Sequence, residues 1–354
     1  MKFIHIADVH LGASPDEDKA WGEERSKEIW YSLQNVIDAC NEKEADLLLI
    51  AGDLFHKQPL VRELKELDYI FSKLEKTQIV LMAGNHDYIS PRSNYLAYDW
   101  NSRVHMFMND QIEWIEFPEL NTVVYGLSYL KRNYTDPIYD TVRPNSREQI
   151  NILLAHGGDE RNVPINRDLL LSSSFDYIAL GHIHIPEIIS DKMAYAGSLE
   201  PLHKNELGPR GYIFGEIDPS RERPNKISFI PIAHREYKRI VLEVKPETTN
   251  LELIDMARDR IKEDGKDNIY HFTIQGFKND VVEFDKQAII DLGNVLDLVD
   301  ESLVDYDFDS LYKDNPDNII GMYIKKIRKK PVDDQLSNKA LYYGIEALID
   351  AKSD

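Results

Sequence analysis

Runs of about five residues with no polar position constrain this chain more than any other feature. Leu47-Leu48-Leu49-Ile50-Ala51 and Ile79-Val80-Leu81-Met82-Ala83 are too short for buried helices and show no alternation. They read as strands covered on both faces, and such strands occur in sheets sandwiched by other layers. Phe3-Ile4-His5-Ile6-Ala7 opens the series. Between the runs lie helical stretches: one at about residues 23–43, with Ile29, Trp30, Leu33, Val36, Ile37 and Cys40 at helical spacing, and one at about 61–75. Strand and helix alternating at this interval imply βαβ units and an α/β fold. Residues 122–126, 150–155 and 177–180 continue the strands, and a strand-rich segment over 193–197, 211–217, 226–231 and 237–244 closes the unit.

The character changes near residue 239. A helix at about 250–263, a strand at 268–275 and a helix at about 284–293 predict a small α+β appendage. The boundary is placed at 236–240, giving units of 1–238 and 239–330 and a helical C-terminal segment, 331–354. The total of 354 residues asks for about two domains. Hydrophobic residues make up 42%, enough for a sizeable core and against disorder. No stretch approaches the length of a membrane span, and the opening MKFIHIADVH lacks a signal-peptide pattern, so a cytoplasmic protein is expected. Cys40 is the only cysteine, which excludes an intramolecular disulfide and Cys-based zinc sites and makes histidine the expected metal ligand.

Five strand ends carry the same kind of cargo: Asp8-x-His10, Gly52-Asp53, Gly84-Asn85-His86-Asp87, His156-Gly157 and Gly181-His182-x-His184. In open α/β sheets, ligands gather beyond the carboxyl ends of strands. Asp8, His10, Asp53, Asn85, His156, His182 and His184 therefore converge as candidate metal ligands. Imidazole, carboxylate and amide together suit first-row divalent ions such as manganese, iron or zinc. Seven ligands suit two ions if one carboxylate bridges, and Asp53, alone on its strand end, is the natural bridge.

This ordered set resembles the binuclear calcineurin-like metallophosphoesterases, whose fold is a four-layer α/β/β/α sandwich. The resemblance implies one ion on Asp8, His10, Asp53 and His184, and a second on Asp53, Asn85, His156 and His182. It also puts His86 in the general-acid position, with Asp87 available to orient its imidazole. Where protein phosphatases of this superfamily continue G-D-x-x-x-R-G, this chain reads Gly52-Asp53-Leu54-Phe55-His56. That form, the opening His5 to Gly12, Tyr195-Ala196-Gly197-Ser198-Leu199 and Glu206-x-Gly208-x-Arg210-Gly211-Tyr212 look like the SbcD-type DNA repair nucleases, including their YhaO-like members. From this follow expectations of a manganese-dependent DNA exonuclease or endonuclease, with His56 assisting phosphodiester cleavage and the appendage acting as a DNA-selecting cap. A homodimer working with an SbcC-type coiled-coil ATPase is implied too. The chain has no G-x-x-x-x-G-K-[ST], so ATP dependence would lie with the partner. The alternatives are a phosphodiesterase or phosphatase acting on a small or cyclic nucleotide, and a non-catalytic DNA-end scaffold for the ATPase.

The net charge of −20 argues against a chain that coats polyanions, but two divalent ions would reverse the sign within one crevice. The basic cluster at residues 325–330 either contacts phosphate or pairs with the acidic run at 297–317. The helix at 335–351, with Leu336, Ala340, Tyr343, Ala347 and Leu348, either packs on its own unit or docks on a partner. Cys40 reads as an inert core residue and His5 as structural. His105, His203, His234 and His271 have no partner motif, so surface or core roles are expected of them.

Overall fold

A strand without a polar position needs cover on both faces, and two sheets packed face to face with outer helices supply it here. The computed structural model describes residues 1–329 and 334–353. The chain divides into two compact units, Met1–Tyr237 and Lys238–Asp354. The first unit runs β1 (Lys2–Ile6), α1 (Gly22–Glu42), β2 (Leu47–Ala51), α2 (Val61–Phe71), β3 (Gln78–Met82), β4 (Val104–Met106), β5 (Glu113–Phe117), β6 (Thr122–Gly126) and β7 (Ile150–His156). It continues with α3 (Arg167–Leu171), β8 (Tyr177–Gly181), β9 (Glu187–Ser190), β10 (Met193–Tyr195), β11 (Gly211–Glu216) and β12 (Lys226–Pro231).

One sheet has the order β12-β11-β1-β2-β3-β4 and the other β5-β6-β7-β8-β10-β9. In the first, β1 to β4 are parallel and β11 enters antiparallel beside β1. In the second, β6, β7, β8 and β10 are parallel, with antiparallel β5 and β9 at the edges. Side chains of the apolar strands sort by parity, as a pleated strand requires. Phe3, Leu47, Leu49, Val80 and Met82 join Ile152, Leu154 and Ile178 of the second sheet in one core. Ile4, Ile6, Leu48, Ile50, Ile79 and Leu81 join Ile29, Leu33, Val36 and Ile37 of α1 and Leu64, Leu67 and Phe71 of α2 in another. His5 is buried with Nδ1 3.0 Å from the Tyr177 hydroxyl of the opposite sheet, and burial lowers its pKa to about 3. It is a neutral structural group.

The second unit contains β13 (Tyr237–Val244), whose first residue still belongs to the first unit, then α4 (Asn250–Asp264), β14 (Ile269–Lys278), α5 (Lys286–Ile290), β15 (Val295–Asp300), β16 (Leu303–Val304), α6 (Phe308–Asp314), α7 (Ile319–Arg328) and α8 (Asp334–Ser353). Its sheet, β13-β14-β15 with β16 on β14, packs Leu242, Tyr270, Phe272 and Ile274 against Leu253 and Ala257 of α4 and Ile289 of α5. A separate cluster joins Ile320 and Ile324 of α7 to Leu341 and Ile345 of α8. The C-terminal helix thus packs on its own unit through a different stripe from the expected one. Leu336 and Tyr343 are exposed, while Leu341 and Ile345 are buried.

Lys325, Lys326 and Arg328 of the basic cluster occupy the last turn of α7, where cations complement the helix dipole. Arg328 also pairs with Asp309 of the acidic run at 2.6 Å. Lys330 lies outside the described residues. Strand β15 falls inside that acidic run because Asp297 and Asp300 occupy positions of a strand with only one fully buried residue. Among the described residues, no helix is long and apolar enough to cross a membrane.

Candidate metal centre

The ends of β1, β2 and β8 turn abruptly. Asp8, His10 and Asp53 have φ of 50°, 52° and 51°, and His182 has φ of 91°, a left-handed backbone that non-glycine residues seldom adopt. Those turns point the side chains into the crevice between the two sheets. Neighbouring glycines make room: a Cβ on Gly52 would collide with the His156 ring, and one on Gly84 with Asp53 Oδ1. Gly84→Ala is therefore expected to displace Asp53, costing about 1–3 kcal/mol of stability. Chemical denaturation and metal titration of this variant test the point, and unchanged stability with unchanged ion uptake would contradict it.

The structure brings all seven candidate ligands together. Ligand atoms of Asp8, His10 and His184 lie within 4.8 Å of one another, as do those of Asp8, Asp53 and His156. His10 Nε2 is 3.1 Å from His184 Nε2 and 3.8 Å from Asp53 Oδ2. Asn85 Oδ1 is 3.0 Å from His156 Nε2 and 3.1 Å from His182 Nδ1, and His156 Nε2 is 3.5 Å from Asp53 Oδ2. One oxygen of Asp53 thus faces both groups, while its other oxygen accepts the His86 amide at 2.8 Å. Both Asp8 oxygens accept the His182 amide, at 3.1 and 2.9 Å.

Three of the four ligand imidazoles, those of His156, His182 and His184, have one nitrogen in the crevice and one anchored outside it. His156 Nδ1–H donates to the Ala51 carbonyl at 2.8 Å, His182 Nε2 meets Asp159 Oδ2 at 2.7 Å, and His184 Nδ1 meets Glu206 Oε1 at 2.7 Å. An outer acceptor that takes the ring proton leaves the inner nitrogen as a lone-pair donor. Asp159 and Glu206 belong to no strand-end motif. Asp159 sits three residues past His156, and Glu206 lies in the loop before β11.

Burial lowers the His10 pKa well below the ordinary value, against the pull of Asp53. Burial alone would raise Asp53, but His156 and His10 hold it well below the usual carboxylate range. The same partnership, opposed by burial, holds the His156 imidazole up at about 9. A divalent ion would take the place of that proton, so ion uptake is coupled to proton release. Desolvation opposes it, yet the His182 bond helps push Asp159 down to about 2.

The three expected catalytic residues separate. His86 lies at the mouth, its ring centroid 4.7 Å from that of His10, and its Nδ1–H donates to the His56 carbonyl at 3.1 Å. His56 stacks on His86 at 5.2 Å, with Nδ1 3.4 Å from His10 Nδ1. Burial and the neighbouring His86 lower the His56 pKa. Asp87 does not orient the His86 ring. Its carboxylate, fully buried, accepts from the amides of Gly84 at 2.8 Å and Phe55 at 3.2 Å and from the Tyr95 hydroxyl at 2.9 Å. Burial and then the nearby Asp53 push its carboxyl up to about 7. Asp87 holds the loops after β2 and β3 together, and the His56 carbonyl does the orienting. Tyr129 and Tyr139 brace the fourth strand end: the Tyr129 hydroxyl donates to the His156 carbonyl at 2.9 Å, and Tyr139 accepts the His156 amide at 3.2 Å. Elsewhere, His105 Nε2 faces Gln78 Oε1 at 3.1 Å and His271 pairs with Asp297.

The His and Asp clusters fit metal binding: Asp8, His10, Asp53, Asn85 and His156 are buried, His182 and His184 are partly buried, and the cradle tolerates no extra methyl group. Parallel strands delivering such a donor set to one crevice between two sheets define a hydrolase of the metallophosphoesterase class. The chain belongs to the calcineurin-like phosphoesterase family, whose sequence profile matches residues 1–186. It is 25% identical over 304 residues to a Bacillus subtilis (strain 168) protein described as the uncharacterized metallophosphoesterase YhaO, covering 78% of this chain and 72% of that one. Among solved structures it is similar to a dimetal phosphatase from Danio rerio, with 15% identity and a TM-score of 0.37 over 61% of this chain and 92% of that one.

Proposed function

We propose that this chain is a manganese-dependent DNA repair nuclease that hydrolyses phosphodiester bonds. The observation that carries the reading is the stacked pair His56 and His86 at the mouth of the centre, against His10. A phosphodiester in DNA has a single negative charge and an alkoxide leaving group, so a proton donor matters more to it than an additional cationic clamp. His56 follows the Gly-Asp motif where the protein-phosphatase branch continues toward an arginine.

Asp8, His10, Asp53 and His184 would hold one ion and Asp53, Asn85, His156 and His182 the other. Two such ions supply Lewis acidity, an acidified water nucleophile and charge neutralisation at phosphorus. The chain's residues do the rest. Asp53 ties the two positions together, and the anchored imidazoles keep their inner nitrogens aimed. His86, held through Nδ1 by the His56 carbonyl, presents Nε2 to the leaving oxygen. On this reading the unit Lys238–Asp354 helps select DNA, and the chain works as a homodimer with an SbcC-type coiled-coil ATPase.

The test is to incubate the purified chain with manganese and linear duplex DNA, single-stranded DNA or a cyclic nucleotide. Cleavage of at least one DNA substrate, abolished by a chelator and restored by manganese, is the expected result. Cleavage of the cyclic nucleotide alone would overturn the assignment.

A further inference from the structure

Glu206 lies in the segment Glu206-x-Gly208-x-Arg210-Gly211-Tyr212, to which the strand-end chemistry gives no task. Its two oxygens are fully committed. Oε1 is 2.7 Å from His184 Nδ1, and Oε2 accepts the Leu202 amide at 2.8 Å. The Glu206 side chain is only 15% exposed. Arg210, wholly buried, donates through one terminal nitrogen to the carbonyls of Leu207, Gly208 and Pro209, at 3.1, 3.2 and 3.0 Å. Its Nε and other terminal nitrogen have no hydrogen-bond partner among the described residues. A buried guanidinium needs a counter-charge, and Glu206 and Glu236 act on it electrostatically. The cation and carboxylate thus stiffen one loop directly behind His184.

The outer acid of the neighbouring imidazole is different. Asp159, which meets His182, has a side chain 47% exposed, and it also accepts the amides of Arg161 at 2.7 Å and Asn162 at 2.8 Å. A carboxylate that can reach water holds a ring less strictly than one that cannot.

We propose that Glu206 is a positioning residue that commits His184 to the Nδ1-protonated tautomer, aiming Nε2 at the ion position shared with Asp8 and His10. The role rests on the proposed dimetal chemistry. It makes the two positions unequal, with the one behind Glu206 more rigidly prepared. Outer partners of this kind are worth about 10–100-fold in metal affinity.

The test is calorimetric titration of the full chain with manganese alone, for the wild type and for Glu206→Ala, Glu206→Gln and Asp159→Ala. The wild type is expected to take two ions. Glu206→Ala should weaken one of them by about 10–100-fold, and Asp159→Ala should weaken the other by less. Glu206→Gln keeps a single acceptor oxygen for the two N–H donors of His184 and Leu202, so it should restore only part of the loss. Nitrogen-15 NMR of the imidazoles, recorded without metal, should show one His184 tautomer in the wild type and a mixture in Glu206→Ala. A residue that merely anchored its loop would change the melting temperature and neither of these readouts. Should Glu206→Ala fail to fold, Glu206→Gln decides through a smaller loss in the same binding step. Wild-type affinity for both ions together with an unchanged tautomer would overturn the role of Glu206 and leave the dimetal chemistry standing. A wild type that takes up no ion would overturn the dimetal chemistry itself.

Discussion

An Asp53→Asn variant is expected to lose hydrolysis by ~10³-fold or more while keeping its fold. The reason lies in how the two carboxylate oxygens are used. Oδ1 accepts the His86 amide at 2.8 Å, and Oδ2 faces His10 and His156, one from each proposed ion position. Asparagine must turn its carbonyl oxygen toward the His86 amide, because two N–H donors cannot face each other there. Its amino group would then point at both ions as a donor without lone pairs. One substitution thus removes the bridging charge from both positions. Ions in such sites contribute several kcal/mol of transition-state stabilisation, and each 1.36 kcal/mol is tenfold in rate. Bound metal per chain should fall below two, while the near-ultraviolet circular dichroism of the metal-free protein stays as in the wild type. Two tightly bound ions with wild-type turnover would remove Asp53 from the bridging role.

The second large effect separates His86 from the metal ligands. His86→Ala is expected to slow DNA cleavage by about 10²–10⁴-fold, the usual worth of a general acid. The same variant should hydrolyse bis(p-nitrophenyl) phosphate nearly as fast as the wild type, since nitrophenolate departs without a proton. Manganese stoichiometry should not change. The Nδ1–H bond to the His56 carbonyl fixes the ring so that Nε2 is the nitrogen offered to substrate. An equal loss on both substrates would instead make His86 a structural brace. If His56→Ala produced the split in its place, the acid would be His56.

The layers were legible because parity and solvation act over short range. In Leu47–Ala51 every residue is buried, and no other local structure buries five consecutive side chains so economically as a strand between two layers. The seven converging side chains were legible for a related reason: parallel strands share a direction, so their ends meet in space although His184 is far from Asp8 in sequence. What escaped is what depends on partners rather than pattern. Edge strands Glu113–Phe117 and Glu187–Ser190 have half-exposed faces and no apolar run to mark them. Glu206 and Asp159 reach their imidazoles from loops whose paths only the folded chain sets. Asp87 was expected to face His86 because the two are adjacent. The tight turn after β3 sends its carboxylate back onto Gly84, Phe55 and Tyr95 instead.

The left-handed backbone at Asp8, His10, Asp53 and His182 has a consequence for how far this protein can be stabilised. Each such position costs of order 1–3 kcal/mol, and it persists only because the apolar strands around it overrule the local preference. Glycine would relax any of the four, but only by deleting the donor that the turn exists to present. Thermal robustness and the capacity to hold ions therefore oppose each other at the same residues. A search for more stable variants selected on melting temperature alone would be drawn first toward changes that disarm the enzyme, whereas the faces of α1 and α2 that meet solvent leave room for gains that do not.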